Sequence, residues 1–206
     1  MELYIFRHGQ TVWNAAHKIQ GSTDIELTEE GRNIARITSE AIRNIHFDAI
    51  YSSPLQRAYE TACILKGDRD MKVVKDKRIR ELCFGILEGT DFSNIQSPDC
   101  DARFSVFFSH PEAYHRPPNG ESLKELCDRT ADFIEDIKDL YPKDARIMIV
   151  AHGAADKAMM KHIKGLEMKD FWSGGLLLNC GAVIVEVDGD TYHIVDENKV
   201  FYDPEK

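Results

Sequence analysis

The 206-residue chain contains no apolar run that approaches the ~20 residues needed to cross a bilayer. It opens with no basic segment leading into an apolar core and a small-residue cleavage site, so no secretory signal is expected. Cations are scarce: 26 basic against 35 acidic residues leave a net charge of −9. That balance argues against nucleic acid or anionic membrane as partners. Five cysteines (Cys63, Cys83, Cys100, Cys127, Cys180) are odd in number and form no Cys-x-x-Cys pair. They argue against a zinc ribbon or a disulfide framework, and for reduced thiols in a cytoplasmic protein. Repeats, low-complexity tracts and domain boundaries are also missing.

What is present reads as globular. Apolar residues make up 43% of the chain and charged residues 30%. The length suits one domain over 1–206 with a sizeable core. Residues 3–6 form an apolar run of strand length that stops abruptly at Arg7-His8-Gly9. Taken alone, this is either a surface loop or a strand that delivers polar groups to a ligand. Residues 11–24 are polar and loop-like. Thr28, followed by Glu29 and Glu30, predicts a helix start. Ile34, Ile37, Ala41, Ile42 and Ile45 then predict its buried stripe.

Residues 47–51 predict a second strand, and Ser53-Pro54 an N-cap with proline at the first helical position. Leu55, Ala58, Tyr59, Ala62 and Leu65 should face inward on that helix. Arg57 falls in its first turn, where a cation opposes the helix dipole. A bound anion removes that conflict, and so does an ion pair with a carboxylate such as Glu60. Residues 71–74 suggest a third strand. Residues 90–118 are long, irregular and aromatic, which favours an ordered, lid-like insertion. Ser122 with Glu125 is a capping box, and Leu123, Leu126, Thr130, Phe133, Ile134 and Ile137 give the next helix its stripe. Residues 146–151 are an apolar strand ending in His152-Gly153, followed by a short helix over 154–163. Residues 182–187 and 192–195 flank a hairpin signal at Asp188-Gly189-Asp190.

Three strands therefore end in polar groups. If they are parallel neighbours, Arg7, His8, Arg57 and His152 converge at one sheet edge, where open α/β sheets bind ligands. Two arginines and two histidines make an anion site, with arginine suited to hold phosphate bidentately. Guanidinium groups disfavour protonation of a nearby imidazole and leave it nucleophilic. Attack on phosphorus gives a phosphohistidine, with charge on the equatorial oxygens met by cations and without a metal. Glu81 is the candidate proton donor for the leaving alkoxide, if partial desolvation keeps its carboxyl protonated near neutral pH. Phosphate-monoester hydrolysis requires up to ~10²¹-fold acceleration, roughly 28 kcal/mol, so the cluster must act as a unit. His17, His46, His110, His115, His162 and His193 show no ligand spacing, and Met159-Met160 reads as helix packing.

These residues resemble the histidine phosphatase superfamily, the phosphoglycerate mutase-like group. The resemblance rests on Arg7-His8-Gly9-Gln10-Thr11, Asn14, Gln20-Gly21, Thr28-x-x-Gly31 and Ser52-Ser53-Pro54-Leu55-x-Arg57. It continues through Glu81 to Gly89, Gly120-Glu121-Ser122, Ala151-His152-Gly153 and Asn179-Cys180, all in order. It implies an α/β three-layer sandwich with a mostly parallel central sheet flanked by helices. It implies His8 as the phosphorylated nucleophile, Arg7, Arg57 and His152 as the phosphoryl clamp with Asn14 assisting, and Glu81 as the acid. Gln20, Gly21 and the Gly153 N–H fall at phosphate- or substrate-binding positions. No metal and no cofactor are implied. Gln10, Ala151, Ala154, Asp156 and Lys157 depart from the family's usual residues; Asp156 lowers anion affinity if it faces the pocket.

The mutases of the group carry extra cations for a substrate carboxylate. Here Glu88-Gly89 runs into Thr90-Asp91-Phe92, and residues 90–118 offer only Arg103 and Arg116. The chain therefore reads first as a metal-independent phosphatase acting on a small phosphorylated metabolite. A cofactor-dependent phosphoglycerate mutase is the alternative. A catalytically silent phospho-ligand binding module is the third reading, disfavoured because His8 and Glu81 are both present. Monomer and dimer remain equally open.

Overall fold

A computed structural model of the chain describes residues 1–93 and 102–204. Six strands form one sheet: β1 (Glu2–Arg7), β2 (Ala49–Ser52), β3 (Val73–Lys75), β4 (Arg146–Ala151), β5 (Ala182–Asp188) and β6 (Thr191–Lys199). Their spatial order is β3-β2-β4-β1-β5-β6. The first four in that order are mutually parallel; β5 runs antiparallel to β1, and β6 antiparallel to β5. Among the described residues six α-helices accompany the sheet: α1 (Val12–Ala15), α2 (Glu29–Ala41), α3 (Gln56–Lys66), α4 (Ala102–Ser109), α5 (Leu123–Leu140) and α6 (Gly153–Lys164).

Period-two alternation in the strands builds two cores. Leu3, Ile5, Ile147 and Ile149 point to the face covered by α5 and α6. Tyr4, Phe6, Met148 and Val150 point to the other face, against Ile42 and the Ala58, Ala62 and Leu65 stripe of α3. The expected three-layer α/β sandwich is the observed one. Register aligns Arg7 with Ala151 and Ser52 with Val150, so β1, β4 and β2 end together at one edge.

The helices show where local pattern and tertiary packing diverge. Ser122 and Glu125 form the expected capping box on α5, and its whole predicted stripe is buried. On α2 Thr28 caps as expected, but the buried face is Gly31, Ala35 and Thr38, with Ile42 just past the end. Ile37 and Ala41 are exposed. The cause is a close backbone approach. A Cβ on Gly31 would lie 2.2 Å from the Gln10 carbonyl oxygen. That contact turns the small residues inward and rotates Ile37 out.

Helix α3 starts at Gln56 with Leu55 as N-cap, two residues later than Ser53-Pro54 suggested. The Ser53 hydroxyl accepts from the Leu55 N–H at 3.3 Å and also meets His152, at 2.7 Å. Within 11–24, Thr11 and Asn14 close a reciprocal capping box around the single turn of α1. The insertion expected over 90–118 is described only in part, because 94–101 and with them Cys100 lie outside the described residues. Its later portion is ordered: α4 buries Phe104 and Phe107. Cys63, Cys83, Cys127 and Cys180 are free thiols. Among the described residues no helix is long and apolar enough to cross a membrane.

Gly31→Ala is expected to destabilise the protein by about 1–3 kcal/mol, because backbone rather than a flexible side chain occupies the Cβ position. Urea denaturation of the variant beside wild type measures it.

Candidate active site

His8 follows directly on β1. Its backbone N–H donates to the Ala151 carbonyl (3.1 Å), which seats it beside His152; the ring centroids are 5.1 Å apart. The His8 carbonyl accepts from Asn179 Nδ2 (2.9 Å), and the next N–H, of Gly9, donates to Thr61 Oγ1 (3.0 Å). The backbone around the ring is thus tied to three other segments. Nδ1 of His8 lies 2.7 Å from the Gly9 carbonyl oxygen. A carbonyl only accepts, so Nδ1 carries the hydrogen and Nε2 carries the lone pair. Burial, then the charges of Arg57 and Arg7, push the His8 imidazole well below its ordinary pKa, so it is neutral.

Arg57 is completely buried. The paired-carboxylate alternative fails here: Glu60 binds Arg32 at 2.6 Å, and no carboxylate among the described residues lies within ion-pair distance of Arg57. Its Nη1 donates to the Thr23 carbonyl (2.8 Å) and its Nη2 to the Gly21 carbonyl (2.7 Å). Burial lowers its pKa to about 10, still far above neutrality. The Nε atoms of Arg57 and Arg7 both lack an acceptor. An uncompensated buried cation with a spare donor is costly unless an anion meets it. Arg7 is half-buried and directs Nη1 to the Leu177 carbonyl at 2.6 Å.

The loop that supplies those carbonyls is itself anchored. Gly21 has φ +55°, and a Cβ there would fall 2.2 Å from the Glu88 carboxylate. That carboxylate accepts from the Ser22 and Thr23 backbone N–H groups and hydroxyls and from the Phe84 N–H. Burial works against its ionisation, but these hydrogen bonds hold Glu88 below the usual carboxylate range. Gln20 is buried with its Oε1 unpartnered. Asn14 spends its Oδ1 on Thr11, which leaves its amide N–H groups as the free end.

On the opposite side, α6 begins at Gly153. Glu81 caps it: its carboxylate accepts from Ala154 N–H and Ala155 N–H, both at 3.2 Å, and from Leu82 N–H at 2.8 Å. The Gly153 N–H, at the first helical position, has no intrahelical acceptor. His152 is buried and neutral, its pKa depressed by burial and by Arg57, and it shares a hydrogen with Ser53 Oγ. Arg7, His8, Asn14, Gln20, Gly21, Arg57, Glu81 and Gly153 all line one cleft; His152 stands behind them in contact with His8. The convergence expected from three strand ends is what the structure contains.

Four participants have roles that their local sequence does not reveal. Ser53 reads as a helix cap but holds His152. Thr61 reads as a helix residue but holds Gly9. Arg129, on the polar side of α5, collects the carbonyls of Arg78, Arg80 and Glu81 and both oxygens of Glu121. It therefore sets the backbone that carries Glu81. Trp172 joins the cleft from a loop after α6. Asp156 does not face this cleft. It lines an adjoining cavity with Met160, Phe171, Leu177 and Val183. Among the described residues no cluster of three or more His, Cys, Asp or Glu side chains could hold a metal ion.

Comparison with known proteins places this geometry. The fold is that of histidine-phosphatase proteins, a class of α/β phosphatases. The family model described as histidine phosphatase superfamily (branch 1) matches residues 3–200, and the chain belongs to that superfamily. The solved structure of YhfR from Bacillus stearothermophilus is 33% identical, with a TM-score of 0.89 and 97% of each chain covered. A mutant phosphoserine phosphatase from Entamoeba histolytica, solved with phosphoserine, is 29% identical, with a TM-score of 0.84 and the same coverage. A Photorhabdus laumondii protein named "Probable phosphoglycerate mutase GpmB" is 33% identical over 81% of this chain and 76% of its own length.

Asp156 generates a stability prediction. Both its oxygens are buried without a hydrogen-bond partner. Burial, then Glu81, raise its pKa well above the ordinary value, while Arg7 and Lys157 pull the other way. The folded protein therefore holds a proton here that the unfolded chain releases above about pH 4. Stability is lost as pH rises from there toward the folded value. Asp156→Asn removes that loss, so its melting temperature should exceed wild type at about pH 8 and converge with it near about pH 4. A thermal-melt series across that range checks the sign.

Proposed function

We propose that the protein hydrolyses a small phosphomonoester through a phosphohistidine on His8. The observation that carries this reading is the His8 tautomer: Nδ1–H is spent on the Gly9 carbonyl, leaving a neutral Nε2 lone pair among two guanidinium groups. Nε2 attacks phosphorus and the ester P–O bond breaks. Arg7, Arg57, His152, the Asn14 amide and the Gly153 N–H meet the charge on the equatorial oxygens. Gln20 borders the phosphoryl group, and Gly21 acts through the carbonyl that fixes Arg57. The Glu81 carboxyl gives its proton to the leaving oxygen. Water then attacks phosphorus, its proton passes to Glu81, the P–N bond breaks, and phosphate leaves.

The mutase alternative requires the phosphoryl group to pass to a second hydroxyl rather than to water. Its substrate carboxylate needs cations, and neither Arg103 nor Arg116 is among the residues that line the cleft. This favours hydrolysis. Phosphate release measured in EDTA, with His8→Ala as blank, tests the proposal: wild type should turn over phosphomonoesters and His8→Ala should lose at least about 10³-fold. Rapid interconversion of 3- and 2-phosphoglycerate with negligible phosphate release would reject hydrolysis. Glu81→Gln should lose about 10²–10⁴-fold on alkyl phosphates and far less on nitrophenyl phosphate, whose phenolate needs little protonation. Equal losses on both would remove Glu81 from the acid role.

A further inference from the structure

Beyond the phosphoryl clamp, the cleft changes character. It continues past the residues of the clamp into a second set of lining side chains. Phe84, Phe92, Phe107, Phe108, Trp172 and Leu176 line the remainder. These residues come from four separate segments, so the aromatic content is not an accident of one apolar helix. The wall residues also interlock. Trp172 Nε1 donates to the Phe107 carbonyl at 2.6 Å, and its ring packs at 5.0 Å against both Phe107 and Phe108. Phe107 meets Phe84 edge-to-face at 5.1 Å.

The charges bordering the cleft are few. Among the described residues its lining cations are Arg7, Arg57 and Lys18. The two arginines belong to the phosphoryl group. Lys18 is exposed, and a single exposed cation contributes little to binding a carboxylate. An alcohol carrying a carboxylate beside the ester would set that charge against aromatic carbon and near Glu81.

Resting on the phosphatase reading above, we propose that the leaving group is a flat apolar alcohol of the aryl or arylalkyl class. The phosphate sits on the strand ends, and the ring of the alcohol lies against Phe107, Phe108 and Trp172. This separates the chain from relatives whose names specify phosphoserine or phosphoglycerate.

The test compares 2-phenylethyl phosphate, phosphoserine and glycerol 3-phosphate, all esters of primary alcohols, so leaving-group chemistry is similar. The His8→Ala rate is subtracted throughout. The phenylethyl ester should exceed both others in kcat/KM by at least about 30-fold, the scale of burying one phenyl group. Phe108→Ala, at a half-buried position, should shrink that ratio about tenfold or more, mainly through KM for the phenylethyl ester. If phosphoserine or glycerol 3-phosphate is the equal or better substrate with His8-dependent release, the aryl class is wrong and the phosphatase reading survives. Absence of His8-dependent release from all three overturns both. A Phe108→Ala enzyme that folds and keeps the full preference removes the aromatic wall from recognition.

Discussion

The structure depends on a buried guanidinium that has no carboxylate to answer it. Arg57 is held by two carbonyl dipoles, from Gly21 and Thr23, with its side chain fully buried at the floor of the cleft. Such a charge is expensive, and the surrounding architecture is arranged to hold it anyway. The loop that supplies the carbonyls is pinned by Glu88 through five hydrogen bonds. The available carboxylates are kept at a distance: Glu60 is taken by Arg32, and Glu81 is drawn to the first turn of α6. The positive field is therefore unspent until an anion arrives. Burial first and the same field second keep His8 and His152 neutral, so the nucleophile depends on the enclosure that also holds the cation.

Much of this was readable from residue order. An apolar strand that ends in Arg7-His8 and another that ends in His152 announce polar groups at a sheet edge, and parallel register brings them together. The capping box of α5 is a local interaction within four residues, so local pattern found it. Arg57 was visible as a cation placed against its own helix dipole.

The remainder depended on contacts between distant segments. The rotation of α2 is imposed by the Gln10 backbone pressing on Gly31, which no periodicity within the helix encodes. Ser53 has the right residue type for a cap, yet a histidine 99 positions away claims its hydroxyl. Arg129 lies among the charged residues of an amphipathic helix, and nothing in its neighbours marks it as the group that gathers three carbonyls around Glu81. Asp156 is an unusual residue near His152 in the sequence, but which cavity it enters is set by the side of α6 that packs on the sheet.

The aromatic wall hangs on pieces of chain that take no part in holding the phosphoryl group. Phe107 and Phe108 belong to α4, and Trp172 to the loop after α6; one indole N–H links them. The charged half of the cleft is built on strand ends and tolerates little change, because each of its groups is fixed by contacts to several distant segments. The apolar half takes no part in those contacts. Selection can rebuild it residue by residue, and a scaffold divided this way can acquire new substrates without first losing its chemistry.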